Sequence, residues 1–147
     1  MLNNLLLFVH LAAAIVWLGG MSLMLVAVRP ELLQVAPPLR LQLLLGMLRR
    51  FFALVWCSIA LLLASGGALL AHAAGFAPAG WQAMAGIGVL MSAVFAWLFF
   101  VPYRRAHRAA HDARWPQAGA ALLQVHRLVQ LNFGLGWLAV ALVVLWR

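Results

Sequence analysis

Charged residues are scarce in this chain of 147 residues, and those present are almost all of one sign. Only 8% of the residues are charged and 67% are hydrophobic, well above the roughly one half of an ordinary globular domain. Lysine is absent, every basic residue is an arginine, and the acidic residues are Glu31 and Asp112. This composition excludes a soluble domain with a single core and a disordered chain, and it indicates an integral membrane protein.

Cysteine is almost absent as well, since Cys57 is the single thiol of the sequence. One cysteine excludes an internal disulfide and a paired-cysteine redox or zinc motif. The first apolar run also lacks a basic region before it, and it is too long for the core of a cleavable signal peptide. We therefore expect that run to be a membrane span.

Four apolar runs are long enough to cross the bilayer, which takes about 20 helical residues. They cover approximately residues 5–28, 51–74, 81–103 and 128–146. The turn-forming segment from Gly75 to Gly80 divides the second run from the third, so these two form a hairpin. No internal repeat or long linker is visible. The sequence therefore predicts one all-α membrane domain over residues 1–147, a bundle of four transmembrane helices.

Two basic connections, residues 29–50 and 104–127, hold all the arginines except Arg147. Because basic connections stay on the cytoplasmic side, we expect a bacterial inner-membrane protein with both termini in the periplasm. The same charge predicts contact with anionic lipid at the cytoplasmic face and argues against nucleic-acid binding. The leucine-rich segment after Pro37 is expected to lie at the interface or to extend the second helix, and Trp115-Pro116 to begin a helix.

Two histidines lie within the predicted spans, and ionisable residues there mark functional sites by default. His10 lies in the first span and His72 at the end of the second, so both are expected at a similar depth in the non-cytoplasmic half. Such a pair can hold a b-type haem or contribute to a copper site; alternatively, each ring bonds a backbone carbonyl without a metal. On the cytoplasmic side, His107 and His111 share a helix face and His126 follows; a solvated face is the favoured interpretation there.

Two stripes of residues accompany the histidines. Trp17, Met21 and Met24 follow His10 at helical spacing, and the third span carries Met84 and Met91. Thioethers suit Cu(I), although methionine also fills gaps in a core. Small residues narrow the first two helices near mid-membrane, which permits close packing or leaves room for a flat macrocycle. These small residues are Gly19, Gly20, Ser65 and Gly66.

Several segments together are similar to those of a known family. They are the run from His10 to Gly20 with Arg29-Pro30 after it, the segment from Arg49 to Gly66, the run from Pro102 to Arg105, and the run from Arg127 to Gly136. Over nearly the whole chain they resemble the CopD-like (copper resistance protein D-type) bacterial four-helix membrane proteins. That resemblance implies copper handling, namely copper uptake or resistance at the inner membrane.

The spacing of His10 and Trp17 also resembles the first helix of the HemJ group, which are membrane oxidases of protoporphyrinogen that bind b-type haem. The HemJ proteins have lysine and histidine in the third-helix region, whereas this chain has neither there. The analogy therefore carries over only these two positions.

Three hypotheses follow from the sequence. The preferred one is a haem b held between His10 and His72 for electron transfer or an oxidase reaction, within walls formed by Trp17, Gly19, Gly20, Ser65 and Gly66. The alternative is copper binding or transport, which uses the same histidines with Met21, Met24, Met84 and Met91. The third is a cofactor-free subunit of a membrane complex, and a homodimer is compatible with the glycine-bearing helices.

Overall fold

Four long helices make up the computed structural model, which describes residues 1–73, 75 and 77–146. The helices are α1 (Leu2–Leu32), α2 (Pro37–His72), α3 (Ala79–His111) and α4 (Trp115–Leu145). Each is long and apolar enough to cross a membrane, and the described residues contain no strand. The predicted four-helix membrane bundle is confirmed. Ala74, at the end of the second predicted span, Phe76, in the turn-forming segment, and Arg147 lie outside the described residues.

The helices extend well beyond the predicted spans at one end of the bundle. At 36 residues, α2 is about 54 Å long, against a hydrocarbon thickness of about 30 Å. Most of the connection predicted over residues 29–50 is therefore helix. Pro37 and Pro38 stand in the first turn of α2, where the missing N–H removes no helical hydrogen bond, and α4 begins at Trp115 as predicted.

The two ends of the bundle differ in charge. The basic end carries the arginines of both connections, and the terminal end carries Met1 and the connection between α2 and α3. Gly75 of that connection has φ +85°, the left-handed region that glycine enters without steric cost.

Two wide turns interrupt α1 and α3 toward the basic end, each next to a proline. They are the π-helical segments Met24–Val28 and Phe99–Tyr103. Pro30 follows the first and Pro102 lies inside the second, and neither has an N–H for the helical ladder. In α1 the N–H of Arg29 instead donates to the oxygen of Met24, five residues back, which is the π-type bond.

The bundle is built from two helix pairs, because α1 packs mainly on α2 and α3 mainly on α4. In the basic half an aromatic cluster joins the pairs. Phe52 of α2 is fully buried and lies edge-on to Phe95 and Tyr103 of α3, with ring centroids 5.2 and 4.9 Å apart. Trp56 stands edge-on to Phe95 at 5.3 Å. In the terminal half the pairs separate around a cavity.

Candidate functional site

The main cavity has a volume of about 260 Å³ and receives side chains from all four helices. Its lining is almost entirely apolar. Trp17 of α1 and Met91 of α3, both buried, line its deeper part toward mid-membrane, and His10 lines it nearer the terminal end. A half-buried imidazole thus faces an apolar space inside a membrane bundle.

A serine on α2 determines which nitrogen of His10 carries the proton. The hydroxyl of Ser65 donates to the oxygen of Leu61 on its own helix. A serine hydroxyl has a single hydrogen, so Ser65 Oγ is an acceptor toward His10 Nδ1, 3.0 Å away. We therefore assign the proton of the neutral ring to Nδ1, which leaves the lone pair on Nε2.

A glycine beside this serine makes room for the ring. A Cβ built on Gly66 would lie 3.0 Å from His10 Cε1 and 3.4 Å from its Nδ1, tighter than ordinary side-chain contact. Ser65 and Gly66 thus act together, one as hydrogen-bond acceptor and the other as space for the imidazole. The sequence assigned both residues to the surroundings of a cofactor; in the structure their contact is with His10 itself.

His72 is exposed and does not line the main cavity. Its Nδ1–H donates to the oxygen of Ala68, one turn earlier on α2, at 2.6 Å. His10 is level with Ser65, and His72 lies seven residues further along α2, a displacement of about 10 Å along the helix axis. The structure does not bring the two histidines together, so a haem bracketed by them stays a prediction without support from this arrangement.

The predicted methionines divide between two cavities and the core. Met84 and Met91 line the main cavity with His10, whereas Met21 is buried in the core at 1% exposure. Met24 lines a small cavity of about 40 Å³ toward the basic end. Across the described residues, no three side chains among histidine, cysteine, aspartate and glutamate are grouped to hold a metal.

The glycine pair of α1 lies outside the main cavity. A Cβ on Gly19 would meet nothing within 4 Å, and one on Gly20 would collide with the ring of Phe51. Gly20 therefore permits close packing of α1 on α2, and it does not form a cofactor wall in this arrangement.

An arginine and a histidine are in contact at the small cavity of the basic end. The sequence does not predict this contact. Arg29 Nη1 and His126 Nε2 are 2.6 Å apart, and both residues line the small cavity. Because the guanidinium stays charged and can only donate, neutral His126 accepts through Nε2. That lone pair is therefore occupied. The two residues are 97 positions apart, and no local pattern links them.

The other two histidines lie at the surface of the basic end. His107 and His111 are both exposed. His107 stands edge-on to Tyr103 with centroids 6.4 Å apart, and His111 Nδ1 lies 3.4 Å from Asp112 Oδ1. These separate contacts agree with a solvated helix face.

A buried amide supports the deeper part of the main cavity. Asn132 of α4 is 1% exposed, and its Nδ2 donates to the oxygen of Met91 at 3.1 Å. Its Oδ1 is buried and accepts no hydrogen bond within the described part of the chain. A Cβ on Gly136, one turn further along α4, would lie 2.6 Å from Leu18 Cδ2 of α1 and 3.3 Å from Met91 Cε. Asn132 and Gly136 together hold the Met91 segment against α4.

Comparison with known proteins identifies one family. A family model described as Copper resistance protein D matches residues 45–146, more than half of the chain. Ser65, Gly66, Met84 and Met91 fall within the matched range, and His10 precedes it. A search of the curated proteins and a search of the solved structures found no match.

Proposed function

Because the chain belongs to the copper resistance protein D family, we propose that this multi-pass membrane protein binds copper(I) in the main cavity and passes it across the membrane. The observation behind the proposal is the contact of His10 Nδ1 with Ser65 Oγ at 3.0 Å. With Nδ1–H donated to Ser65, the Nε2 lone pair is available to a metal. A partner on the other ring nitrogen is the usual arrangement for a metal-binding histidine.

Thioethers complete the donor set. Met84 and Met91 of α3 line the same cavity as His10, and soft sulfur ligands favour Cu(I). A monovalent ion bound by neutral donors also costs less to hold in an apolar environment than a divalent ion would. One imidazole and two thioethers fit copper(I) as the transported ion.

The positions of the methionines also indicate a path for copper(I) from the main cavity toward the basic end. Met91 lies in the deeper part of the main cavity, Met21 is buried in the core, and Met24 lines the small cavity. Arg29 stands in that small cavity beside Met24, where its positive charge opposes a cation. Passage toward the basic end therefore requires the Arg29 guanidinium to move away from His126.

The arginine distribution supplies the orientation. With both basic connections cytoplasmic, the main cavity faces the periplasm and copper enters there. The protein would lie in a bacterial inner membrane, and anionic lipid would contact the arginines of the basic end.

Competition with a copper(I) chelator tests the binding step on detergent-purified protein. We expect a single copper(I) ion per chain, and we expect His10→Ala to weaken binding by at least roughly tenfold. Met84→Leu and Met91→Leu each weaken it less, because the imidazole of His10 and one thioether remain. His111→Ala, at the exposed surface of the basic end, is the matched control and retains wild-type affinity.

Two results would count against this proposal. Copper(I) binding that survives His10→Ala unchanged would place the ion elsewhere. A Soret absorbance band that disappears in both His10→Ala and His72→Ala would instead support the haem hypothesis.

A further inference from the structure

We infer that the main cavity also binds a lipid-soluble hydroquinone, whose hydroxyl donates to Nε2 of His10. This inference needs the His10 tautomer but does not depend on copper binding. Its first support is size. A space of about 260 Å³ far exceeds what one ion needs, whereas an engineered cavity of about 150 Å³ in another protein holds benzene. The main cavity thus accommodates a substituted six-membered ring.

The lining of the main cavity favours a ligand that has an apolar ring and a hydrogen-bond donor. The walls are nearly all hydrocarbon and thioether, with the indoles of Trp17 and Trp81 among them. Because the proton of His10 lies on Nδ1, its free nitrogen accepts a hydrogen bond and does not donate one. A hydroquinone satisfies that nitrogen, while the oxidised quinone presents only acceptors. The acyl chain of a lipid has no hydrogen-bond donor for Nε2 of His10.

The opening of the cavity indicates how such a ligand arrives. Leu63 of α2, Val89 of α3 and Val140 of α4 line the cavity and are also exposed on the apolar surface of the bundle. In a membrane that surface contacts acyl chains. Access therefore lies within the bilayer, which selects molecules that dissolve in lipid.

Calorimetric titration in lipid nanodiscs tests the inference, with empty nanodiscs as the blank and argon to prevent oxidation. The probes are tetramethyl-hydroquinone and its oxidised form. We expect the hydroquinone to bind at least about fivefold more tightly than the quinone, since one net hydrogen bond separates them. His10→Phe, which keeps an apolar ring but removes the lone pair, is expected to erase that preference.

A cavity-filling variant locates the ligand. A Cβ on Gly88 would meet nothing within 4 Å, and Gly88 lines the cavity, so the side chain of Gly88→Leu begins in open space, and the variant is expected to abolish hydroquinone binding. Gly67→Leu, equally unobstructed, serves if the first variant does not fold. Equal affinity for the two probes, unchanged selectivity in His10→Phe, or unchanged binding in the folded filled variant would each overturn the inference. The copper(I) titration is scored separately. The two proposals share the Nε2 lone pair of His10, and loss of one ligand with retention of the other distinguishes their failures.

Discussion

The hydroxyl of Ser65 favours one neutral tautomer of the His10 imidazole. An unpartnered histidine exchanges between two neutral tautomers, and either nitrogen can then face a ligand. Here the hydroxyl of Ser65 donates to Leu61, so the assigned tautomer of His10 carries its proton on Nδ1 and its lone pair on Nε2. Both proposed ligands, a soft cation and a hydroxyl group, need that lone pair.

Ser65→Ala should therefore weaken copper(I) binding without removing any ligand atom. We expect a loss of roughly 10- to 100-fold, the usual range when a hydrogen-bond partner of a metal-binding group is deleted. Nitrogen-15 NMR of histidine-labelled protein is the accompanying measurement, because the wild-type His10 signal should show protonated Nδ1 and the variant a mixture.

Ser58→Ala is the matched control, since Ser58 is also buried on α2 but lies about two turns before Ser65. A wild-type NMR pattern in Ser65→Ala would show that the serine does not set the tautomer.

How much of the site was predictable differs from residue to residue. His10 was identified because an ionisable side chain within a span stands out in any sequence. The pairing of His72 with His10 rests on their similar predicted depth alone. Depth does not reveal that the His72 ring donates a hydrogen bond to Ala68 on its own helix. The bonds of Ser65 depend on side-chain rotamers and on helix rotation about the axis, which apolar periodicity does not determine.

Between elements, a close backbone contact lies where α3 begins against the end of α4. A Cβ on Gly80 would lie 2.7 Å from the oxygen of Leu142 and nearer still to that of Trp146. Backbone oxygens cannot move aside as a flexible side chain can, so glycine is required at this contact. The contact fixes the start of α3, and with it Trp81 and Met84 of the main cavity.

Gly80→Ala should accordingly destabilise the bundle by about 1–3 kcal/mol, the usual cost of overpacking. Thermal unfolding of the purified protein in detergent would measure the loss. Gly134→Ala on α4 is the control, because a Cβ there meets nothing within 4 Å and the helix gains the higher propensity of alanine. Equal unfolding temperatures for wild type and Gly80→Ala would contradict the contact.

For the molecule as a whole, the number of helices was predictable and their lengths were not. Apolar runs of spanning length give the helix count directly. The arginines of residues 29–50 made that stretch look like a connection, yet α2 begins at Pro37 and carries Arg40, Arg49 and Arg50 within it. Arginine is a good helix former whose long stem lies along apolar surface while its head reaches water, so charge marks the interface without ending the helix.

The orientation of the whole bundle in the membrane can be tested with a reporter enzyme. Alkaline phosphatase, which is active only in the periplasm, should be active when fused after the last residue, because both basic connections are expected in the cytoplasm. The same reporter inserted after Asp112, in the turn that follows α3, should be inactive and serves as the internal control. The reverse result would show that the bundle has the opposite orientation, with the main cavity toward the cytoplasm.

The pairing of α1 with α2 and of α3 with α4 has a consequence for biosynthesis. The ribosome completes the first pair, with the His10–Ser65 bond available to it, before Met84 and Met91 have been made. The cavity walls come from both pairs, so a nascent or truncated chain that ends before α3 has the imidazole but neither thioether. The proposed ligand binding would therefore emerge only when the second pair docks on the first.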